Sequence, residues 1–426
     1  MSTRSVRLLS AVVALALAAS CTTYVPVAGN DNFAFLYGKG AAAVRLEARI
    51  YHTGAGQAVI HYKLRTQDLL YKGTGGGGPY HARVAMKYEA YPVPGSKQLL
   101  DSASTLVQDQ SMDPAADQAL VGRMPLTLRS GERYYVQLTA HDLNRDARST
   151  VLLYVDPAAD GITQALLPLD TNKLPTFNDR VKPGAKVLLQ AESLAGRQLR
   201  VDHYPAVEKL PAPVFAQAAP PDLGHPPDSS FTLDTGPDGL LRFTAGDSGF
   251  YHFRADTTSP AGFTLFIQPG DFPSVRSIED MLAPLRYITS AKEWETINTA
   301  AAPRQEMERF WSEAAGTRDR AREAIAAYYG RVESANRHFT SYTEGWKTDR
   351  GLVHIIFGTP TTIRKDENSE TWVYGDETNL MSLTFAFHKR DEPFSENDLV
   401  LQRDPQLKTA WYRNVESWRN GRIFQY

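Results

Sequence analysis

The sequence predicts a multidomain protein: two antiparallel β-sandwich domains of the immunoglobulin-like kind, followed by an α+β domain with helices packed on a small antiparallel sheet. Three observations support this prediction. Apolar and polar residues alternate in short runs over the first part of the chain, a period typical of strands with one buried face. An Asp-x-Gly-x-Tyr sequence lies late in this part. From Val275 the apolar spacing changes to three and four, which indicates helices.

The domain boundaries follow from these changes of pattern. We expect a lipoprotein signal peptide at 1–20, a tether at 21–33, an N-terminal β-sandwich at 34–160, a second, immunoglobulin-like sandwich at 161–270 and the α+β domain at 275–426. A chain of 426 residues has room for several domains of about 100–200 residues each. Because 46 basic residues balance 48 acidic ones, the chain has no net charge that would attract nucleic acid.

The N-terminal sandwich is predicted from alternating runs at 44–51, 58–64, 82–90, 134–140 and 150–155. Between the second and third runs, 73–78 matches the spacing of a dinucleotide-binding G-x-G-x-x-G, a motif that requires a helix after its last glycine. Pro79 and a strand follow here, so we interpret this segment as a loop.

Strands of the second sandwich are predicted at 186–190, 231–233, 239–243, 249–254 and 263–268, with a proline-rich extended connection at 205–227. Asp247-x-Gly249-x-Tyr251 matches the corner before a late strand of immunoglobulin-like domains, where the tyrosine hydroxyl bonds to the backbone. Ser248 also allows a serine-protease interpretation. That interpretation needs a His and an Asp in a double barrel, which no segment of the chain indicates.

Helical spacing then continues to about Phe339 and returns near the end of the chain, after a set of predicted strands. A capping box at Ser290-x-x-Glu293 begins one helix, a longer helix is predicted at 318–339, and a final helix carries Trp411 and Trp418 on one face. Strands are expected near 369–374, 380–388 and 398–402. The polar face of the long helix carries Arg320, Arg331 and Arg337, which we expect to face solvent, with an anion site as the alternative.

One run resembles a known family. It reads Gly345-Trp346-Lys347-Thr348-Asp349-Arg350-Gly351 and continues to Gly358-Thr359-Pro360; Phe310-Trp311 lies upstream and Trp372-x-Tyr374 downstream. Together these residues resemble the GWxTD-domain proteins over about 278–396. The resemblance implies a bacterial secreted protein or lipoprotein, typical of Bacteroidetes and Acidobacteria, and it implies no particular reaction. The connector at 315–327 departs from the family, because Gly316-Thr317 stands where a turn with proline and asparagine is expected.

From the residues alone, the run is predicted to be a helix-to-strand junction. Gly345 could supply a positive φ, Trp346 a buried anchor, and Thr348 and Asp349 partners for free backbone amides. Asp349 and Arg350 could form an ion pair at the rim. The alternative is a catalytic site built from Asp349, Arg350 and His354. We regard this as the weaker interpretation, because on a strand Asp349 and His354 would point to opposite faces.

The start of the chain predicts export and lipidation. Arg4 and Arg7 precede an apolar run that is too short to span a bilayer, and small residues lead to Cys21, the only cysteine. The run 17–21 resembles a lipobox, although Ala18 stands where leucine is usual. An ordinary cleaved signal with a free thiol is the alternative. Because Thr22 follows the cysteine, we expect an outer-membrane lipoprotein that faces the periplasm.

These features predict a membrane-anchored periplasmic lipoprotein that acts as a non-enzymatic binding or scaffolding component, with an envelope protein or a glycan as its partner. The alternative is an envelope-modifying hydrolase with its site around Asp349 and His354. The ten histidines are scattered without metal-ligand spacing, so no metal site and no cofactor are expected.

Overall fold

The computed structural model describes residues 32–37, 44–54, 56–73, 75, 77–129, 133–156, 162–217, 226–268, 270–376, 379 and 381–423. Over these residues the N-terminal part consists mostly of antiparallel sheets, and the C-terminal part is helical with one small sheet. The predicted order of β-rich and helical regions is confirmed. Within the described part of the chain, no helix has the length and apolar character that a membrane crossing requires.

The first β-unit, residues 44–156, contains two antiparallel sheets around one apolar core. Its strands are β1 (Leu46–Gly54), β2 (Gln57–Arg65), β3 (Lys72–Gly73), β4 (Tyr80–Tyr91), β5 (Asp101–Ser111), β6 (Ala119–Thr127), β7 (Tyr134–Asp142) and β8 (Ala147–Val155). One sheet has the order β1-β2-β6, and in the other β4 pairs with β5 and β7. Alternate residues of β4 are buried, so its apolar face closes the core.

The sequence predicts five strands of this unit but neither β5 nor β6. β5 pairs with β4 over eleven residues, yet nearly all of its side chains are polar or exposed. An edge strand of this kind buries little apolar surface, so it leaves no clear alternation in the sequence. The glycine-rich segment is followed by β4 and not by a helix, as predicted.

The second β-unit, residues 162–267, also has two sheets around a separate core that includes Leu189, Val201 and Phe253. Its strands are β9 (Leu167–Leu169), β10 (Arg180–Val181), β11 (Lys186–Gln190), β12 (Gln198–Pro205), β13 (Ser229–Asp234), β14 (Leu240–Thr244), β15 (Gly249–Arg254) and β16 (Phe263–Ile267). The sheets have the orders β14-β11-β9 and β10-β16-β15-β12-β13. All pairs are antiparallel except the short pair of β10 and β16.

Tyr251 forms the backbone contact that the sequence predicts, because its hydroxyl oxygen accepts a hydrogen bond of 3.1 Å from the Gly246 amide. Ser248 is exposed beside this corner. The nearby His203 is hydrogen bonded to Asp228 at 2.8 Å, and its ring packs against Tyr251 at 4.6 Å. Within the described part of the chain no hydrogen bond joins His203 to Ser248, so the structure offers no support for the protease interpretation.

In the C-terminal region, the described residues form six α-helices that pack on a four-stranded antiparallel sheet. The helices are α1 (Ile278–Leu282), α2 (Ala291–Thr299), α3 (Pro303–Ala315), α4 (Arg318–Phe339), α5 (Asp349–Phe357) and α6 (Lys408–Arg419). The sheet has the order β17 (Thr362–Lys365), β18 (Ser369–Tyr374), β19 (Leu383–Lys389), β20 (Leu399–Leu401). Trp311, Trp372 and Trp418 lie in its core. The long helix and the final helix have the positions that the sequence predicts.

Two segments from earlier in the chain complete this C-terminal core. The first is Asn32 to Tyr37, of which the sequence assigns 34–37 to the first sandwich. The Phe33 amide donates to the Ile363 carbonyl at 2.8 Å, and the Asn32 side chain bonds to the backbone of Thr361 and Ile363. This segment therefore covers the free edge of β17. The second is 206–217, part of the connection predicted at 205–227, whose Val214 is buried in the same core.

Candidate functional site

The segment from Glu344 to Phe357 is a short turn followed by a helix. A 3-10 turn covers Gly345–Lys347, and α5 begins at Asp349. Thr348 caps this helix, because its Oγ1 accepts a hydrogen bond of 3.0 Å from the Gly351 amide. The predicted helix-to-strand junction is wrong: the first strand of the sheet begins only at Thr362.

The apolar character of α5 explains this error. Every residue from Asp349 to Phe357 is buried. An element buried on all sides shows neither the period of a strand nor that of an amphipathic helix, so the pattern cannot distinguish the two. The signal that does distinguish them is Thr348, a good N-cap residue that is followed by an acidic residue, Asp349, in the first turn and then by the apolar run from Leu352.

Gly345 and Gly351 allow three backbone segments to approach closely. A Cβ on Gly345 would lie 1.9 Å from the Ala335 carbonyl oxygen in α4, and a Cβ on Gly351 would lie 1.9 Å from the Gly345 oxygen. Gly345 does not have the positive φ that the sequence analysis expects. Both positions require glycine because there is no space for a side chain, and not because of backbone conformation.

Trp346 is the buried anchor that the sequence predicts, with 5% of its surface exposed. Its amide donates to the Asn336 Oδ1 at 3.1 Å, and its carbonyl accepts a hydrogen bond of 2.8 Å from the Tyr287 hydroxyl. The Tyr287 ring packs edge-on against the indole at 5.9 Å. Trp346 thus joins the turn to α4 and to the segment that follows α1.

Asp349 ties α5 to the far strand of the sheet. Its Oδ2 accepts a hydrogen bond of 2.8 Å from the Leu401 amide in β20, and its carboxylate forms an ion pair with Arg403 at 2.5 Å. Arg403 also donates to the Ala212 carbonyl at 3.1 Å. Asp349 therefore links the helix to β20 and, through Arg403, to the connection at 206–217.

Arg350 belongs to a different buried ion cluster, so the predicted rim pair of Asp349 and Arg350 is wrong. Its Nη1 lies 3.0 Å from Glu370 Oε1, and both side chains are almost completely buried. Three further groups donate to the same carboxylate: Lys365 Nζ at 2.7 Å, the Tyr37 hydroxyl at 3.1 Å and the Trp372 Nε1 at 3.1 Å.

Paired charges keep the Glu370 carboxyl ionised in this interior. Burial alone would raise the pKa of Glu370, but Lys365 and Arg350 outweigh burial and lower it to about 2. Burial and Glu370 together raise the pKa of Tyr37, which remains a neutral donor. The cluster holds together α5, β17, β18 and the N-terminal segment, so its role in this arrangement is to join elements that are distant in sequence.

A comparison with known protein families finds a match in the C-terminal part of the chain. Residues 249–420 match the profile of the GWxTD domain. The C-terminal part of this chain is a GWxTD domain. The match begins at Gly249, so it includes β15 and β16 of the second β-unit as well as the helices. A comparison with curated proteins gives no match.

Two solved structures show a weak resemblance to parts of the chain. A calcium-binding mutant of beta-glucuronidase 2 from Bacteroides uniformis is 14% identical with a TM-score of 0.17, over 26% of this chain and 13% of that one. The major pilin subunit of Bacillus cereus, in a mutant form, is 10% identical with a TM-score of 0.15, over 56% of this chain and 67% of that one. The chain thus spans a small fraction of the glucuronidase's length, and these scores support no argument about function.

Asp349 and His354 contact different parts of the GWxTD domain. His354 is 2% exposed, its Nε2 lies 3.1 Å from Ser334 Oγ, and its ring packs against Phe339 at 5.4 Å. Asp349 contacts Arg403 and β20 instead. Five residues on a helix are about 140° apart around its axis, so the two side chains point in different directions.

Arg331 also differs from its prediction, because it is buried in the GWxTD domain and does not face solvent. Its Nη1 donates to the carbonyls of Ile355 and Ile356, at 3.1 and 3.2 Å, and its guanidinium lies 4.9 Å from the Trp418 ring centroid. Burial lowers the pKa of Arg331 to about 10, so it stays charged at neutral pH. Arg320 and Arg337 are exposed as expected.

The partners of the motif in the GWxTD domain are not predicted from the sequence; they are Glu370, Lys365, Arg403 and Tyr37. One signal was present for Glu370, because it lies on the same face of its strand as Trp372 and Tyr374. A carboxylate between inward-facing aromatic residues indicates a buried, paired charge. Cys21 lies outside the described residues, and within those residues no group of three or more possible metal ligands occurs.

Proposed function

We propose that this chain is a membrane-anchored periplasmic lipoprotein that acts as a non-enzymatic binding or scaffolding component of the cell envelope. The observation that supports a non-enzymatic role is the use of the motif. Gly345, Trp346, Thr348, Asp349 and Arg350 are all buried and occupied by internal contacts. Side chains placed in this way stabilise a fold and leave no reactive group facing a substrate.

The lipid anchor is proposed from the sequence. The N-terminal segment after it indicates which domain would lie next to the membrane. Lipid on Cys21, with several acyl chains, would anchor the protein stably. The eleven Cα-to-Cα steps from Cys21 to Asn32 can span at most about 40 Å. Since Asn32 to Tyr37 pack on the GWxTD domain, this domain would lie near the outer membrane, on its periplasmic side.

The two β-units would then extend from the GWxTD domain and not from the membrane. We propose that both units are immunoglobulin-like sandwiches. The Tyr251 to Gly246 hydrogen bond and the presence of two sheets around each core support this assignment. Such modules commonly present binding surfaces, here to an envelope protein or a glycan.

The alternative, a hydrolase with its site around Asp349 and His354, has less support. Catalysis by general acid and base needs both groups within reach of one substrate. Asp349 is ion-paired with Arg403, and His354 packs between Ser334 and Phe339. No specific observation therefore favours this reaction class.

Fractionation of cells that produce the wild-type protein or a variant without the lipidated cysteine tests the proposed anchor. Cys21→Ser should abolish labelling by a palmitate analogue and release the protein from membranes or leave it unprocessed. Thr23→Ser, two residues away, should keep both label and membrane association. A correctly cleaved Cys21→Ser protein that remains in the outer-membrane fraction would contradict the proposed anchor. In a separate experiment, crosslinking of the wild-type protein in its own cells would identify its partner.

A further inference from the structure

One cavity of the described residues lies away from the GWxTD motif. It has a volume of about 940 Å³ and lies where the first β-unit, the second β-unit and the GWxTD domain meet. Strands β1 and β8 form one wall, β10 and β16 a second, and residues 389–397 a third. This volume lies within the range of about 300–1,000 Å³ that small-molecule sites occupy, and sites often lie between domains.

Most charges around this cavity are already paired. Four cations each have a carboxylate partner, in the pairs Arg49 with Asp179, Arg133 with Asp156, Lys389 with Glu396 and Arg390 with Asp398. Groups paired in this way attract a charged ligand only weakly, because each would have to give up an existing partner. They still offer hydrogen-bond donors and acceptors to a polar molecule.

Arg180 differs from these four cations. Within the described part of the chain no carboxylate lies at ion-pair distance from Arg180. The neighbouring Asp179 is ion-paired with Arg49 and attracts Arg180 only from a longer distance. Its guanidinium lies over the rings of Phe266 and Phe272, at 5.9 and 5.2 Å from their centroids. Its Nη1 donates to Asn178 at 3.3 Å, and its Nε has no hydrogen-bond partner. The guanidinium therefore has no direct ion-pair partner among the described residues.

Glu392 lines the third wall of the same cavity and does not neutralise Arg180. Burial, reinforced by the nearby Asp398, raises the pKa of Glu392 to about 8. Arg390 and the amides of Phe394 and Ser395 oppose this shift only partly. At neutral pH Glu392 is therefore mostly a neutral carboxyl group that can donate a hydrogen bond to an anion.

We propose that the junction cavity is a binding site for a small polar molecule that carries a single carboxylate, and that Arg180 binds this carboxylate. A guanidinium forms two parallel hydrogen bonds with a planar carboxylate, which gives both affinity and orientation. More than one negative charge is disfavoured, because Asp156, Asp179, Asp391 and Glu396 also line the cavity. The site is separate from the GWxTD motif and does not depend on lipidation of Cys21.

Calorimetric titration of the full-length protein at neutral pH tests this proposal. The probes are galacturonate and N-acetylalanine, two monocarboxylates of different chemistry, with galactose and N-acetylalaninamide as their neutral counterparts. At least one monocarboxylate should bind saturably and at least tenfold more tightly than its neutral counterpart. Galacturonate alone would identify a sugar acid as the ligand, and N-acetylalanine alone would identify a peptide-type carboxylate. Inorganic phosphate should bind more weakly than the preferred carboxylate.

A pair of variants tests the role of Arg180. Arg180→Gln should weaken carboxylate binding about 10- to 100-fold, the loss expected for charge-assisted hydrogen bonds. Arg197→Gln makes the same charge change at an exposed position of the same unit and should bind as the wild type does. The proposal is overturned if neither carboxylate binds the wild-type protein better than its neutral counterpart. It is also overturned if a folded Arg180→Gln protein binds as tightly as the wild type.

Discussion

The first β-unit and the GWxTD domain build their interiors in different ways. The core of the β-unit consists of apolar side chains from alternate strand positions, such as Val84, Met86 and Leu138. The GWxTD domain buries Arg331 and Arg350 among its largest fully enclosed side chains, together with Glu370. The first core depends on shape and apolar area. The second also depends on each buried charge keeping a particular partner.

This difference has consequences for stability. Removing apolar atoms from a core costs free energy in proportion to the area and the cavity involved. Removing one partner of a buried ion pair leaves the other charge uncompensated in a low-dielectric interior, which costs about 3–5 kcal/mol. The GWxTD domain should therefore be sensitive to substitutions at positions that are far apart in sequence, such as Tyr37, Glu370 and Arg403.

Trp346→Ala should produce the largest effect. Truncating a buried tryptophan costs about 3–5 kcal/mol, out of a total stability of about 5–15 kcal/mol for a domain. The GWxTD domain should unfold at a clearly lower temperature in differential scanning calorimetry or express poorly. Met381→Ala removes a large side chain that is 81% exposed and should change little. Equal melting of the two variants would show that Trp346 is not the anchor of this turn.

Glu370→Gln should rank second, at about 3 kcal/mol, the low end of the range for breaking a buried ion pair. The amide keeps some hydrogen bonds but leaves Arg350 and Lys365 without a counter-charge. Urea unfolding measures this loss, and Glu367→Gln at an exposed position is the control. A Glu370→Gln protein as stable as the wild type would show that the core of the GWxTD domain tolerates unpaired charge.

The stabilisation of the GWxTD domain by Glu370 should depend on pH. The pKa of Glu370 falls from an ordinary 4.5 to about 2 in the folded protein. Its stabilisation is therefore fully present above pH 4.5 and is lost as the pH falls towards 2. The stability difference between wild type and Glu370→Gln should shrink over this window. Equilibrium unfolding at several pH values measures it, and a constant difference between pH 6 and pH 3 would contradict the assigned pKa.

Tyr251→Phe should produce the smallest effect, in the second β-unit. It removes one hydrogen bond to the Gly246 amide, worth about 0.5–1.5 kcal/mol. Thermal melting should fall slightly, and Ser248→Ala beside it should have no effect. Loss of a proteolytic activity in Ser248→Ala would instead support the serine-protease interpretation of this corner.

Most strands that bury apolar side chains could be predicted from the sequence, whereas a strand whose apolar pattern is interrupted by charged side chains could not. Strands such as β4 and β11 bury one face against a core, so their alternation is visible in the residues. β12 is missed because Arg200, Asp202 and His203 interrupt its apolar pattern, although Asp202 is buried in ion pairs with Arg200 and Arg254. Burial of a charge depends on a partner that local sequence does not show.

The residues of the motif could be identified from the sequence, but their contacts could not. Gly345, Trp346, Thr348, Asp349, Arg350 and Gly351 do form one structural corner, and Trp346 is its anchor. Their partners lie up to several hundred residues away, as Tyr37 does from Glu370. Local reasoning therefore paired Asp349 with Arg350, its neighbour in sequence, whereas the fold pairs them with Arg403 and Glu370 respectively.

The central claim is that the GWxTD motif stabilises the fold and performs no chemistry. The most direct test compares Asp349→Asn and His354→Ala for thermal melting of the purified protein, and for complementation of a strain that lacks it. Because His354 is 2% exposed and packed against Phe339, His354→Ala should lower the melting temperature. Any loss of function in either variant should follow its loss of stability. If both variants melt as the wild type does and yet fail to complement, Asp349 and His354 act on a ligand or substrate and the claim is wrong.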